Sequence, residues 1–223
     1  MELIGSGRTA DVYAIGDDRV LRRYRDGGSA VAEAAVMEHV RAHGVPVPAV
    51  HDVTGPDLVL DRLTGPTLLQ AALRGDRTAD DVAGVLAGLH HRLHAVPPSG
   101  HPRPVAPADG AAATVIHLDL HPDNVLLTAS GPVLIDWRNA TDGPGDLDVA
   151  YSALILAQVA VDPGAGPQAL AAALIEPFLT MAGGAPLRYL ETATARRGAD
   201  PMMSATELDR LGAAAALVAR TAR

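Results

Sequence analysis

The sequence contains no cysteine, and all 18 of its basic residues are arginine, so it has no lysine either. Without a thiol the chain can form neither a disulfide nor a thiolate metal site. The missing lysine is a compositional bias that matters wherever chemistry ordinarily calls for an ammonium group. Long apolar runs are also lacking: the longest uncharged apolar stretch, residues 149–161, has 13 residues. That is too short to cross a bilayer and reads as a buried helix. The opening residues Met1-Glu2-Leu3-Ile4 carry no basic segment followed by an apolar run, so no secretory signal is expected. With the absence of cysteine, this predicts a cytoplasmic protein without a membrane partner. A basic face is missing as well. The formal charge is −8, with 7 basic against 10 acidic residues before Thr64 and 11 against 16 after it. Nucleic acid is therefore excluded as an expected partner. The acidic balance suits cationic substrates such as aminosugars, although moderate acidity is equally ordinary in soluble proteins.

What is present suffices for a packed core: 223 residues, 48% of them apolar, enough for one large domain or two small lobes. Residues 1–60 read mainly as short strands at 3–4, 12–15 and 19–24, separated by glycine and aspartate turns. One helix interrupts them over 29–43, where Ala32, Ala35, Val36 and Val40 recur at helical spacing. Ser29 is its expected N-cap and Gly44 its stop. Residues 57–63 form a strand that runs into Gly65-Pro66, the expected boundary between units 1–63 and 64–223. A helix follows over 78–96, capped by Thr78, with Val82, Val85, Leu86, Leu89 and Leu93 on one face and Pro97-Pro98 as terminator. Residues 97–113 read as an irregular loop. Residues 125–127 and 133–135 flank a Thr-Ala-Ser-Gly turn as a hairpin. From Asp146 onward the chain is helical, broken at 163–167 and 183–186. No internal repeat occurs.

The strongest chemical signal is His117-Leu118-Asp119-Leu120-His121-Pro122-Asp123-Asn124, followed by the hairpin and by Ile135-Asp136-Trp137. Phosphoryl transfer needs a carboxylate to orient a hydroxyl and take its proton, plus oxygen ligands to hold Mg²⁺ against a triphosphate. In the kinase catalytic loop the Asn stands five positions after the catalytic Asp, and a second Asp closes the next hairpin. Asp119, Asn124 and Asp136 have that spacing, and the hairpin brings the three oxygens to one end of two paired strands. Asp119 is the expected base; Asn124 and Asp136 are the expected metal ligands. A rival reading takes His117, Asp119 and His121 as the ligands of a metal-dependent hydrolase. It predicts further ligands downstream, yet no histidine follows His121.

A second signal lies at the front: Gly5-Ser6-Gly7-Arg8-Thr9-Ala10-Asp11-Val12 fits the kinase form G-x-G-x-x-G-x-V, with Ala10 in place of the third glycine. A dinucleotide-binding loop would need a helix directly afterwards, where Val12 to Ile15 reads as strand. The loop precedes a strand carrying Arg22 and Arg23 and then a helix carrying Glu33, the order in which a kinase places its phosphate-binding cation and that cation's acidic partner. Arg23 is out of phase with Arg22 and points to the opposite face.

With these residues in view, the chain resembles the aminoglycoside phosphotransferase and choline-kinase-like branch of the protein-kinase fold. The family's marker, close to H-G-D-x-H-x-x-N followed by I-D-W, is matched by His117, Asp119, His121, Asn124, Ile135, Asp136 and Trp137. The resemblance implies an α+β, bilobal fold with a small β-rich front lobe and a larger helical back lobe. ATP or GTP would sit between them, with Mg²⁺ and with backbone contacts to the base near Asp61 to Leu63. It also implies transfer of the γ-phosphate to a small hydroxylated acceptor, with Gly5, Ser6, Gly7, Arg22 and Glu33 around the phosphates and His117 and His121 in support. Asp148 would brace the catalytic loop from the following helix, or serve simply as a helix N-terminal acid. Arg22 replaces the family's lysine, which predicts reduced activity, and Leu118 replaces its usual glycine. Those two departures motivate an alternative, a catalytically silent nucleotide-binding protein. The segment between Trp137 and Asp146 leaves no room for a protein-kinase activation loop.

Overall fold

The computed structural model describes residues 1–101, 104–106, 110–164 and 166–222. The front of the chain is a five-stranded antiparallel sheet of β1 (Glu2–Ser6), β2 (Ala10–Ile15), β3 (Arg19–Tyr24), β4 (Val50–Thr54) and β5 (Asp57–Asp61), in the order β1-β2-β3-β5-β4. Side chains alternate across β3, so Arg22 is buried while Arg23 faces solvent and pairs with Asp57 on β5 at 2.6 Å. β4 is an edge strand with an irregular register between Val50 and Asp52. The sequence reading missed it, because two residues before it end a proline-rich turn and its two polar positions, His51 and Asp52, break the alternation.

Between β3 and β4 runs α1 (Val31–Ala42). Its start corrects the expectation of a Ser29 cap: the N-cap is Ala30, with no side-chain cap bond. The cause is tertiary. Ala30 is fully buried and its N–H donates to Gly55 O at 2.8 Å, which pins the chain to the β4–β5 turn before the helix can begin. Ser29 Oγ accepts only from the N–H of Val31. At the far end Gly44 has φ +83°, as a helix stop requires.

The rest is mostly helical: α2 (Leu68–Leu73), α3 (Ala79–His94), α4 (Gly145–Ala160), α5 (Gln168–Ala182), α6 (Leu190–Gly198) and α7 (Ala205–Thr221). Thr78 caps α3 through a capping box with Asp81, as expected, and two unforeseen boxes, Thr67 with Gln70 and Ser204 with Glu207, start α2 and α7. Each such cap is worth about 1 kcal/mol. α4 is buried on all sides from Leu147 to Ala157 and is packed by α3, α5, α6 and α7. It contains most of the uncharged stretch noted above. No single described helix is long and apolar enough to cross a membrane.

Two ribbons sit between α3 and α4. β7 (Val125–Thr128) and β8 (Gly131–Leu134) form the expected hairpin. β6 (Ala113–Ile116) pairs with β9 (Thr141–Pro144), which the sequence Thr-Asp-Gly-Pro gave no reason to expect as a strand. The Asp142 carboxylate accepts the N–H groups of Ser99, Gly100 and His101 at 2.8–2.9 Å, tying the proline-rich stretch to β9. Within that expected loop, residues 102–103 and 107–109 lie outside the described residues, as does residue 165 in the expected break at 163–167. The break at 183–186 does separate α5 from α6.

The connector between sheet and helices is held to the hairpin. Leu127 N–H donates to Pro66 O at 2.9 Å, and Thr67 bridges Leu126. Gly65 has φ +146°, and a Cβ there would stand 2.0 Å from Leu127 O. Only glycine fits this approach. Gly65→Ala is expected to lower the unfolding free energy by about 2 kcal/mol or more, read from urea denaturation; a loss within about 0.5 kcal/mol, the usual scatter for a surface position, would show that the connector does not depend on the contact.

Candidate active site

β6 delivers the chain into the loop from His117 to Asn124, and β7–β8 return it to Asp136. The loop is built on backbone bonds. Asp148, in the first turn of α4, accepts the N–H of His117 through Oδ2 at 3.0 Å and the N–H of Leu118 through Oδ1 at 2.7 Å. His94 Nε2 and His90 Nδ1 stand 3.1 and 3.4 Å from Asp148 Oδ2. Burial works against the Asp148 charge, but the two histidines outweigh it, and the carboxyl is held well below its ordinary range. Asp148 thus bonds the loop backbone from the first turn of α4.

Leu118 has φ +58°, a left-handed conformation that costs a non-glycine residue about 1–2 kcal/mol. Leu118 is 3% exposed and part of the core, where burial worth about 1.5–3 kcal/mol offsets the strain. The glycine usual here is explained by that φ. Asp136 is also left-handed, with φ +63°, which aspartate tolerates better.

Asn124 joins the two carboxylate segments. Its Nδ2 donates to the Asp119 carbonyl at 2.9 Å and to Asp119 Oδ2 at 3.2 Å, and its own carbonyl accepts the Ile135 N–H at 3.0 Å. Its Nδ2 also lies 3.1 Å from His121 Nε2. Burial, then the Asp136 charge, push the Asp119 carboxyl up to about 7, opposed by Arg197 and Asn124. Arg22 reaches the same place from the sheet: Nη1 binds both oxygens of Glu33 at 2.5 and 2.7 Å, and Nη2 binds Asp136 Oδ1 at 2.5 Å. Glu33 also accepts the hydroxyl of Tyr24 and, at 3.1 Å, the N–H of Trp137. Burial opposes the guanidinium charge, and the two carboxylates more than offset it, so the pKa of Arg22 rises. Both Arg22 amino groups are therefore committed to carboxylates.

Asn124 and Asp136 carry the kind of oxygen donor that a hard cation takes. Asn124 turns its amide nitrogen to Asp119, and Asp136 keeps a side chain 39% exposed. Oxygen donors of this kind suit Mg²⁺. The rival histidine set does not assemble. Both ring nitrogens of His117 are buried without a hydrogen-bond partner, its ring packs edge-on to Trp137 with centroids 4.8 Å apart, and burial lowers its pKa to about 4. Among the described residues, the group with metal-ligand spacing is His90, His94 and Asp148, whose carboxylate already accepts the two loop N–H groups.

At the front loop, Gly7 N–H donates to Ala10 O at 2.9 Å, and the Ser6 hydroxyl donates to Asp11 at 2.8 Å while accepting from Arg25. Gly5 opposes Val12, where a Cβ would make ordinary contact at 3.6 Å. Arg8, at the loop tip, bonds Glu207 on α7 at 2.7 Å. Asp61 is fastened by its side chain to the Ala49 N–H at 2.9 Å and lies 2.7 Å from His51 Nε2. The N–H groups of Asp61 and Arg62 are consumed by Ala49 O and Asp18 O, while Leu63 is half-buried beside them.

The sequence matches the phosphotransferase enzyme family over residues 1–109 and 102–188. The chain belongs to that family. A 59-residue segment is 41% identical to thiamine kinases of Salmonella newport and Salmonella heidelberg, covering 26% of this chain but only 19% of those proteins. The fold is similar to that of aminoglycoside phosphotransferase APH(2'')-IIa in its gentamicin complex, with TM-score 0.63, 12% identity, and 96% and 90% of the two chains covered. A choline/ethanolamine kinase family protein from Mesorhizobium loti gives TM-score 0.63 at 15% identity over 99% and 90%. An aminoglycoside-3'-phosphotransferase of type VIII gives 0.58 at 22% over 99% and 91%. The protein-kinase-like fold follows from these likenesses.

For this family member, sequence reasoning gave no role to the cluster of Tyr151, Gln158 and Arg197 between α4 and α6, where Arg197 Nε donates to Gln158 Oε1 at 2.9 Å. Nothing in their spacing marks them. It also missed the tie between Thr67 Oγ1 and Asp123 Oδ1, 2.9 Å, which joins the connector to the loop. The Asp148 anchor yields a pH prediction. A carboxyl whose folded pKa is depressed adds stability above its unfolded pKa of about 4 and loses it as pH falls. Asp148→Asn should therefore cost about 3 kcal/mol at pH 7, and the gap from the unaltered protein should narrow below about pH 4. Denaturation curves at several pH values check this; a gap independent of pH would mean that the charge is not what holds the loop.

Proposed function

We propose that the chain is a Mg²⁺-dependent phosphotransferase that moves the γ-phosphate of ATP or GTP onto the hydroxyl of a small molecule. The observation that carries this reading is the convergence of Asp119, Asn124 and Asp136 at one end of the β7–β8 hairpin, with Arg22 of the sheet bonded both to Asp136 and to Glu33 of α1. Residues 1–63 would hold the nucleotide and residues 64–223 the acceptor. The loop of Gly5, Ser6 and Gly7 would cover the phosphates, and the backbone near Asp61 and Leu63 would meet the base.

Asp119 orients the acceptor hydroxyl and takes its proton as the oxygen bonds to the γ-phosphorus and the bond to the bridging oxygen breaks, releasing the nucleoside diphosphate. A carboxyl pushed up to about 7 by burial is well matched to that exchange near neutral pH. Asn124 and Asp136 would hold the metal, which would offset the negative charge of the triphosphate. Arg22, tied to Glu33, supplies fixed positive charge beside them. Its planar fork is not an ammonium point charge, so slower turnover than a lysine would give is expected. His117 packs beneath the loop and His121 caps the turn Pro122–Asn124, so both support the loop's shape.

Mass spectrometry of reactions containing MgATP or MgGTP with thiamine, choline, aminoglycosides, nucleosides, sugars and hydroxy acids tests the proposal. A phosphorylated product from the unaltered protein is expected, with Asp119→Asn reducing turnover by about 1000-fold or more while nucleotide affinity changes less than about twofold. Undiminished turnover in that variant would remove Asp119 from the role of base. Nucleotide binding without product from any acceptor would favour the silent binder.

A further inference from the structure

His90 and His94 stand one turn apart at the end of α3, and Asp148 faces them from the first turn of α4. His90 Nδ1 and His94 Nε2 lie 3.5 Å apart, and they stand 3.4 and 3.1 Å from the same carboxylate oxygen, Asp148 Oδ2. The three atoms form a nearly equilateral triangle. Two of its edges are longer than an ordinary hydrogen bond. All three are close to the edge of a tetrahedron built on bonds of about 2.0–2.1 Å to a central zinc ion, which is about 3.4 Å.

Hydrogen bonding alone does not account for the cluster. Asp148 Oδ2 already accepts the His117 N–H at 3.0 Å, so an N–H from each ring would put three hydrogens on an oxygen with two lone pairs. The carboxylate is also fully buried, and buried charge is ordinarily paired or bound to a metal. The surroundings suit ligands. His90 Nε2 lies 3.0 Å from the hydroxyl oxygen of Ser152, one turn after Asp148 on α4. An Nε2–H donated there leaves the Nδ1 lone pair turned to the triangle. Both oxygens of Asp148 are oriented by loop N–H groups, and the Phe178 ring, centred 5.5 Å from that of His90, supplies an apolar wall. At Gly145 a Cβ would stand 2.8 Å from His94 Nδ1, so a glycine is what lets the start of α4 approach that ring.

We propose that His90, His94 and Asp148 bind one Zn²⁺, through residues distinct from the Mg²⁺ ligands named above and independently of the phosphotransferase reading. Two neutral imidazoles and a carboxylate form a donor set for zinc, whereas Mg²⁺ takes oxygen ligands. Water takes the fourth corner, and it reaches the site along the cleft that His94 lines with Thr114 and Asp146. The ion ties α3 to α4 and, through Asp148, to the backbone of the loop that carries Asp119. Its role is structural, because ligands brought together by the fold bind the folded chain in preference to the unfolded one.

Chelator-treated protein, titrated calorimetrically with Zn²⁺ in excess Mg²⁺ and without nucleotide, tests this. It should bind one equivalent of Zn²⁺ and melt at a higher temperature with the ion than without it. Co²⁺ in place of Zn²⁺ should give the intense visible absorption of a four-coordinate ion. His90→Gln and His94→Gln should each weaken Zn²⁺ binding by about 100-fold or more, and Ser152→Ala by about 10-fold. Asp136→Asn should leave the affinity unchanged, as should His43→Gln, which removes half of the exposed pair that His43 makes with His39. No binding of one equivalent, a six-coordinate Co²⁺ spectrum, or parental affinity in His90→Gln overturns the inference and makes the cluster a hydrogen-bonded brace. If both ligand variants fail to fold, the Co²⁺ spectrum of the unaltered protein and the affinity of Ser152→Ala decide. Neither result touches the phosphotransferase reading, since no measurement here uses nucleotide.

Discussion

The bond set around Arg22 is the constraint on which the rest of the site depends. One guanidinium on β3 holds Glu33 of α1 and Asp136 beyond β8, while Glu33 in turn accepts the backbone N–H of Trp137. Sheet, helix and hairpin end are thereby fixed to each other through charge pairs that are largely withdrawn from water. Such pairs are costly to break, because removing one partner strands the other as a buried charge. The same bonds that position Asp136 limit what else Arg22 can do. A lysine would contact these carboxylates as a point charge; the arginine fork spans them, and its remaining donors are what a phosphate could use.

A second anchor works from the opposite side. Asp148 fixes the backbone at His117 and Leu118, and Asn124 then fixes Asp119 relative to Ile135. The left-handed Leu118 is affordable only because its side chain is buried and its N–H is claimed by a carboxylate. Strain, charge and packing are balanced at one residue, and the loop that carries Asp119 keeps its shape as a result.

The legibility of these features in the sequence follows their range. The hairpin, the Thr78 cap and the buried helix α4 are local patterns, and they were readable because propensity, turn chemistry and periodicity agree there. The spacing from His117 to Trp137 was readable because a short hairpin converts sequence distance into spatial distance. Ser29 failed as a cap because Ala30 answers to Gly55, twenty-five residues away. β9 failed because a Thr-Asp-Gly-Pro segment becomes a strand only through pairing with β6. Arg197 and Tyr151 were invisible for the same reason: their contact comes from the packing of α6 against α4, which no periodicity encodes.

The C-terminal helices therefore do more than complete a core. Arg8, at the tip of the glycine-containing loop, is bonded to Glu207, and Glu207 is at once the partner that caps α7 through Ser204. Two oxygens of one carboxylate thus divide their work between helix initiation and the front loop. Burial tends to raise the pKa of Glu207, but Arg8 and Ser204 together bring it down to about 2, so the tie persists across the ordinary pH range. The glycine-containing loop and α7 are consequently coupled: a shift of α7 either carries the loop tip with it or gives up the ion pair at the helix N-terminus. Being partly exposed, that pair is weak, worth at most about 1 kcal/mol, and so it can bias the position of the loop without locking it.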